Sequence, residues 1–335
     1  MVKRGTAISS PDKKHVLTVS AQAGVGAAGP LSPASLRFAL LLALSIPVFW
    51  SPLWTLANYS LRTGQHGYDK YSHALLIPLI SAALVWRERN RAFLRVESSY
   101  RVGGLLFIAA LALDTLTPRI VGPQATDSAL ALQLLGLVLF WVAAFVACYG
   151  PIAAGAVRFP LLFLLLIVPL PDVVLNLPIK AVQYGSAELC AAVFNLAGVP
   201  FLREGFVFTL PAVTIEVAKE CSGIHSTFAL FIVSLLAAYL LLSSLWARTL
   251  LVLSVLPVVC LSNGLRIAGL TLLASYVDPG FLHGSLHRQG GAGFFLMALA
   301  ILYLVLLMLQ RAERRRAKRQ NIPAQSDRAI ASRAA

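Results

Sequence analysis

The chain has 335 residues, of which 58% are hydrophobic and 13% charged, and its mean hydropathy is +0.77. A soluble globular domain carries about 25% charged residues, so this composition excludes such a domain and indicates an integral membrane protein. The net charge of +14 could suggest a nucleic-acid partner. The Lys and Arg residues stand in short segments beside apolar runs, however, which is typical of cytoplasmic loops. We therefore expect contact with membrane lipid and no nucleic-acid partner.

Basic segments flank the apolar part of the chain. Residues 1–35 contain four Lys or Arg and a Gly/Ala/Ser/Pro-rich stretch, without the apolar core of a signal peptide. They predict a flexible cytoplasmic tail. Residues 311–335 open with a run of basic residues and predict a second cytoplasmic tail, able to touch anionic lipid. Residues 36–310 are expected to form the transmembrane domain.

The apolar segments predict an all-α polytopic membrane protein with about eight transmembrane helices. A spanning helix needs about 20 apolar residues, or fewer where neighbouring helices help. The second, third and fifth candidates are short. The eight segments are residues 36–57, 72–86, 102–116, 128–149, 159–174, 223–245, 249–277 and 291–309.

The basic residues also predict the orientation of the helices. Five arginines lie at residues 87–101, between the second and third spans, and the positive-inside rule places such a loop in the cytoplasm. Both termini are basic too, which requires an even number of spans. The loops expected on the opposite, outer face are residues 58–71, 118–127, 175–222 and 278–290.

The longest outer segment is expected to contain two kinds of structure. Residues 175–196 predict an amphipathic helix at the membrane interface, able to act as a lid or docking surface or simply to pack there. Residues 199–218 alternate loosely between apolar and polar and predict a short hairpin or extended ribbon leading to Cys221. The apolar stripe of the helix comprises Leu175, Ile179, Val182, Leu189 and Val193.

Cys221 is the candidate nucleophile. It stands in the sequence Glu220-Cys221-Ser222-Gly223, at the start of an apolar segment. The first turn of a helix lowers the pKa of a thiol, and a small residue such as Gly223 lets backbone amides approach a substrate carbonyl. The alternative is a small apolar residue at a helix end. The other cysteines are widely spaced, without a CxxC pair, and predict neither a metal site nor a disulfide framework.

Arg266 is a cation inside an apolar segment. A guanidinium in a span costs from about 3 to more than 10 kcal/mol unless it faces a polar cavity or a partner. Its expected role is to stabilise an oxyanion or the Cys221 thiolate, and the alternative is a structural ion pair with Glu220 or Glu216. Asn263 lies three residues earlier on the same helical face, where it would orient Arg266 or contact the substrate backbone.

Histidines on the outer face are candidate proton carriers. His287 or His283 could protonate a leaving amine and later deprotonate the incoming nucleophile. Their spacing would also suit a metal on a helix face, but no third ligand is evident, so neither a metal nor a cofactor is expected. His225, four residues after Cys221, is a rival base. His73 would contact the substrate, support the site, or simply lie at the interface.

These motifs resemble those of a known family, the exosortases, with the related archaeosortases. Glu220-Cys221-Ser222-Gly223-Ile224 is similar to the family's cysteine signature. Asn263-Gly264-Leu265-Arg266-Ile267 resembles its arginine box, and His287 through Gly291, followed by Phe295, resembles its histidine box. Tyr71-Ser72-His73 with residues 86–89, and residues 169–171, also resemble family signatures. The resemblance runs in order from about Trp54 to Leu309.

The resemblance implies a cysteine protease and transpeptidase in the inner membrane of Gram-negative bacteria, with its active site on the periplasmic side. Its substrates would be exported proteins with a C-terminal sorting tail, made of a Pro-Glu-Pro-like motif, an apolar helix and a basic end. Cys221 would be the nucleophile, Arg266 the cation beside the oxyanion, and His287 the general acid and base. The acyl acceptor could be water, a lipid amine or a glycan.

Two departures from the family pattern concern the histidines. His225 stands where the family often has Arg, and His283 precedes His287 by one helical turn, so either could be the base. The alternative function is a polysaccharide-export or transporter component, with buried polar residues lining a path. Against that alternative, no inverted repeat is evident and the polar residues cluster toward one face.

Overall fold

The computed structural model describes residues 32–61, 71, 73–94, 96–121, 126–170, 172–217, 224–278 and 291–334. Within them the protein is mostly helical, with three short strands, as expected for a helical membrane protein. The strands β1 (Leu202–Glu204), β2 (Val207–Thr209) and β3 (Thr214–Glu216) lie between the eighth and ninth helices. The helices are α1 (Pro33–Val48), α2 (Trp50–Leu61), α3 (Leu76–Arg87), α4 (Arg89–Ala92), α5 (Tyr100–Ile120), α6 (Thr126–Ala156), α7 (Arg158–Phe163), α8 (Asp172–Leu196), α9 (Ile224–Leu241), α10 (Leu245–Leu253), α11 (Val255–Tyr276) and α12 (Gly291–Ala334).

Fewer helices than predicted have the length and composition of a membrane span. The described residues contain four, or five if the bent pair α1–α2 is one span, so the prediction of eight spans is not confirmed. The other apolar helices have 10–17 residues. Helices of that length measure roughly 15–25 Å, short of the roughly 30 Å hydrocarbon core. The four are Tyr100–Ile120, Asp127–Ala156, Leu245–Tyr276 and Gly291–Lys318, and the shorter ones are Leu76–Arg87, Arg158–Ile167 and Ser226–Leu241.

The first predicted span is bent by 80° between α1 and α2. Pro47 lies in the last turn of α1, where it has no N–H for the helical ladder. Phe49, at the bend, is fully buried and packs edge-on against Phe140 of α6 with the ring centroids 5.6 Å apart. The bend is therefore held by the core between α1, α2 and α6.

α8, which includes the predicted interfacial helix, packs along α11. A Cβ built on Gly264 of α11 would lie 2.7 Å from Cδ2 of Leu189, and one built on Gly185 would lie 2.6 Å from the sulfur of Cys260. Two glycines thus let the helix backbones approach closely, as small residues do between membrane helices. The predicted apolar stripe of α8 faces inward, since Leu175 and Val182 are buried.

The predicted hairpin or ribbon is not confirmed, since the described part of this segment forms a small three-stranded antiparallel sheet in the order β1-β2-β3. Phe208 of β2 is fully buried and packs edge-on against Phe194 of α8, with the ring centroids 5.7 Å apart. Arg203 of β1 donates to the Glu188 carboxylate of α8 at 2.8 Å. Both contacts join the sheet to α8, and the core that Phe208 and Phe194 share also includes Ala268 of α11.

Candidate active site

Most of the predicted site residues lie outside the described residues. Arg266, Asn263 and His73 lie within them. Those outside are Glu220, Cys221, Ser222, Gly223, His283 and His287, together with the side chain of His225.

Arg266 lines a small cavity of about 30 Å³ where α9, α11 and α12 meet. A cavity of this size has room for about one water molecule. From α11 the lining residues are Val259, Ser262, Asn263 and Arg266, which lie on one face because their spacing follows the 3.6-residue helical period. From α9 they are Ser226 and Leu230, and from α12 they are Gly291, Phe294, Phe295 and Ala298. The cavity is thus bordered by the first turns of both α9 and α12.

Two hydrogen bonds, one buried and one part-buried, hold the arginine helix in place. The Ser262 hydroxyl donates to the backbone carbonyl of Phe294 in α12 at 2.7 Å. The Asn263 amide donates to the Ser186 hydroxyl of α8 at 3.1 Å, and both side chains are almost fully buried. Asn263 therefore connects the Arg266 face of α11 to α8. The sequence predicted that Asn263 would orient Arg266 or contact the substrate backbone.

α8 also holds the segment that leads to Cys221. The amide of Gln183 donates to the backbone carbonyl of Val217 at 2.6 Å. Val217 is fully buried, and its N–H donates to the carbonyl of Phe206 at 2.9 Å. Val217 comes four residues before Cys221 in the sequence. One helix therefore anchors both the arginine helix and the approach to the cysteine.

The Tyr71–His73 motif contacts α9. Tyr71 is buried, and its hydroxyl donates to a carboxylate oxygen of Asp127 at 3.0 Å. The His73 ring stacks on Phe228 of α9, with the centroids 5.4 Å apart and the planes 14° from parallel. Phe228 lies two residues beyond Ser226, so this motif packs beside the first turn of α9 that borders the cavity.

The three described cysteines lie within packed helices and do not line the cavity. Cys190 of α8 is fully buried, and its thiol lies 3.4 Å from the carbonyl of Gly264, to which it donates. Burial raises the pKa of the Cys190 thiol to about 12. A thiol with such a pKa is protonated at neutral pH and is a poor nucleophile. Cys190 is therefore a buried packing residue and not a candidate nucleophile.

The sheet is joined to α8 by an ion pair near the surface. The hydrogen bond from Arg203 holds the pKa of the Glu188 carboxyl below its usual range. The contribution of this ion pair to the free energy of unfolding is present above the unfolded pKa of Glu188 and is lost as pH falls through the lower folded pKa.

Among the described residues, no group of three or more His, Cys, Asp or Glu could hold a metal ion.

Sequence reasoning missed several residues that shape the site. Gln183 and Ser186 of α8 are polar residues three apart, beside the apolar stripe, and both are buried. Buried polar groups need partners, so their position on an apolar face was a usable signal. Ser262 offered a similar signal, one helical turn before Arg266. Ser226 carried none, because a hydroxyl at a helix start usually serves as a cap.

A comparison with protein-family models matches residues 65–304, more than half of the chain, to a family described as transmembrane exosortase. The matched segment contains every residue that lines the cavity and all the predicted site residues. No curated protein and no solved structure matches the chain. On the strength of the family match, the chain belongs to the transmembrane exosortase family.

Proposed function

We propose that this protein is a membrane cysteine transpeptidase or protease that cleaves the C-terminal sorting tail of exported proteins through a thioester. Cys221 is the nucleophile, Arg266 stabilises the oxyanion, and His287 is the general acid and base, with His283 as the alternative. Family membership supports a role with sorting signals. The residue roles are proposed from the sequence motifs, and the surroundings of Arg266 support them.

The observation that carries the proposal is the meeting of α9, α11 and α12 at the Arg266 cavity. Cys221 precedes Ile224, the first residue of α9, by three residues, and His287 precedes Gly291, the first of α12, by four. A fully extended chain spans at most about 3.6 Å per residue. Peptide geometry alone thus keeps the Cα atoms of Cys221 and His287 within about 11 and 14 Å of those helix starts.

The charges along α12 support a periplasmic site. Its first turn borders the cavity, whereas its far part carries Arg311, Arg314, Arg315, Arg316 and Lys318. The positive-inside rule assigns the basic end to the cytoplasm and hence the cavity to the periplasmic face. α9 runs parallel to α12, because the Gln310 amide donates to the carbonyl of Leu241, at the end of α9, at 3.4 Å. Both helices therefore start at the proposed catalytic face.

The proposed reaction has two acyl-transfer steps. The Cys221 thiolate attacks the scissile carbonyl carbon, and the tetrahedral oxyanion is stabilised by the Arg266 guanidinium. The C–N bond then breaks, the histidine gives its proton to the leaving amine, and the exported protein remains as a thioester. In the second step the neutral histidine takes a proton from the acceptor, which is water, a lipid amine or a glycan, as the acceptor attacks the thioester. The thiolate leaves, and the enzyme is restored.

The test is co-expression with a reporter that ends in a Pro-Glu-Pro-type tail, followed by pulse-chase measurement of tail removal. We expect Cys221→Ala to abolish cleavage. Arg266→Ala should slow it about 10²–10³-fold, as for loss of an oxyanion donor. Loss of the general acid and base, by His287→Ala or His283→Ala, should slow it about 10²–10⁴-fold. A thioester-linked reporter on wild type, released by hydroxylamine, would identify the intermediate.

Cys148→Ala is the matched control, because Cys148 is buried in α6 and does not line the cavity. It should cleave like wild type. The histidine whose loss causes the larger defect is the base. Normal cleavage by fully expressed Cys221→Ala would refute the cysteine mechanism. Transport of a solute that survives Cys221→Ser would instead favour the export or transport alternative.

A further inference from the structure

A second, larger cavity of about 990 Å³ lies between α1, α3 and α6 and shares no lining residue with the Arg266 cavity. Its volume is at the upper end of the roughly 300–1,000 Å³ typical of ligand sites. We call this cavity the α1–α3 groove. Its walls are mostly apolar, with Phe38, Leu42, Leu79, Val85, Phe145 and Leu164 among the lining residues.

The polar atoms within the walls of the groove are bonded inside the protein. The Ser45 hydroxyl donates to the carbonyl of Leu42 at 2.6 Å and accepts from the indole N–H of Trp141 at 3.0 Å. The Ser81 hydroxyl donates to the carbonyl of Pro160 at 2.8 Å. Because these groups are already paired, the walls present an apolar surface, which suits a hydrocarbon chain.

One end of the groove is cationic. Arg89 and Asn90 line that end, beside Trp86. The Arg89 guanidinium lies 4.6 Å from the centroid of the Trp86 ring and donates to the Trp86 carbonyl at 3.0 Å, so the charge is held at the mouth. An Arg fork is suited to a phosphate group, and a Trp beside it is typical of the membrane–water boundary.

The length of the groove distinguishes between possible apolar occupants. It runs from Ser35 to Ile46 along α1 and from Pro78 to Trp86 along α3. At 1.5 Å per residue these stretches measure about 16 Å and 12 Å. One leaflet of the hydrocarbon core is about 15 Å thick, whereas a spanning helix needs about 30 Å. The groove therefore fits an acyl chain of one leaflet and is too short for a substrate helix.

We propose that the α1–α3 groove binds an anionic glycerophospholipid, with an acyl chain along the apolar walls and the phosphate at Arg89. The cationic end of the groove matches a phosphate, and the length of the groove matches an acyl chain of one leaflet. The five arginines at residues 87–101 assign this end to the cytoplasmic leaflet by the positive-inside rule. The lipid would fill the space between α1 and α3 and link them.

The test uses the purified full chain, delipidated in detergent and incubated with dioleoylphosphatidylglycerol or dioleoylphosphatidylcholine. Retained lipid is counted by native mass spectrometry. We expect phosphatidylglycerol to be retained more strongly, and Arg89→Gln to lower its apparent affinity about five-fold, the effect of one cation near a lipid surface. Arg87→Gln is the matched control, because Arg87 is exposed like Arg89 but does not line the groove. Equal losses for the two variants would overturn the proposal.

A second pair of variants tests the apolar walls. Ala82 and its neighbour Ala83 are both exposed, but only Ala82 lines the groove. Ala82→Phe should reduce retention of both lipids and Ala83→Phe should not, with gel filtration checking that each variant folds. A photoreactive benzoylphenylalanine in place of Leu79, a large and exposed side chain that lines the groove, then identifies the occupant in cells. Crosslinks to phospholipid support the proposal, whereas crosslinks to residues 1–31 or to a sorting tail would assign the groove to the chain's own tail or to substrate.

Discussion

The close approach of α8 and α11 yields a sharp prediction at Gly264. The Cβ added by Gly264→Ala would lie 2.7 Å from Cδ2 and 2.8 Å from Cβ of Leu189. The second distance involves an atom fixed to the α8 backbone, so the side chain cannot rotate away from the clash. The helices must separate, and Arg266, two residues further along α11, moves with them.

The expected magnitude follows from a matched substitution in the same helix. Overpacking a close contact costs about 1–3 kcal/mol. Replacing a helical glycine by alanine gains roughly 0.5–1 kcal/mol where space allows. A Cβ on Gly269 would meet nothing within 4 Å, so Gly269→Ala should show only the gain. The free energies of unfolding of the two variants should therefore differ by about 1–3 kcal/mol, with Gly264→Ala the less stable.

The assay is unfolding of the two purified variants by titration with SDS in mixed micelles, together with tail removal in the reporter strain. Gly264→Ala should be less stable than wild type and should cleave more slowly, while Gly269→Ala should be at least as stable as wild type. Equal stability of the two variants, or a Gly264→Ala protein that is more stable than Gly269→Ala, would show that α8 and α11 are not in this contact.

Three further predictions concern α8. Gln183→Leu leaves the buried carbonyl of Val217 without its side-chain donor, so it should cost about 1–3 kcal/mol of unfolding free energy and slow tail removal; unchanged values for both would refute the anchoring role. In a double-mutant cycle, Ser186→Ala and Asn263→Ala should show a coupling of about 1 kcal/mol, and strictly additive losses would contradict the bond. Since the pKa of Cys190 is raised to about 12, its thiol should resist iodoacetamide at pH 8 and react only after denaturation, as peptide mapping would show; rapid labelling of the folded protein would contradict its burial.

The sequence alone was sufficient for the class of protein and for the position of the arginine on its helix. Few charges and long apolar runs require a membrane protein, because charged groups are costly in lipid. Asn263 and Arg266 share a helical face because three residues is close to one helical turn. Both conclusions follow from local properties of the chain. The roles of Cys221, His283 and His287 remain predictions, since these residues lie outside the described part of the structure.

The number of spans and the scaffold of the site depended on tertiary structure. Hydropathy detects apolar segments, but where a helix ends depends on the neighbours that it packs against, and Leu76–Arg87 and Arg158–Ile167 are shorter than a span. The apolar stripe of α8 was readable as amphipathic, yet a stripe does not specify whether lipid or protein covers it. Gly185 and Gly264 allow α8 and α11 to pack closely, because neither has a Cβ, so protein covers the stripe. This fit exists only once the two helices are side by side.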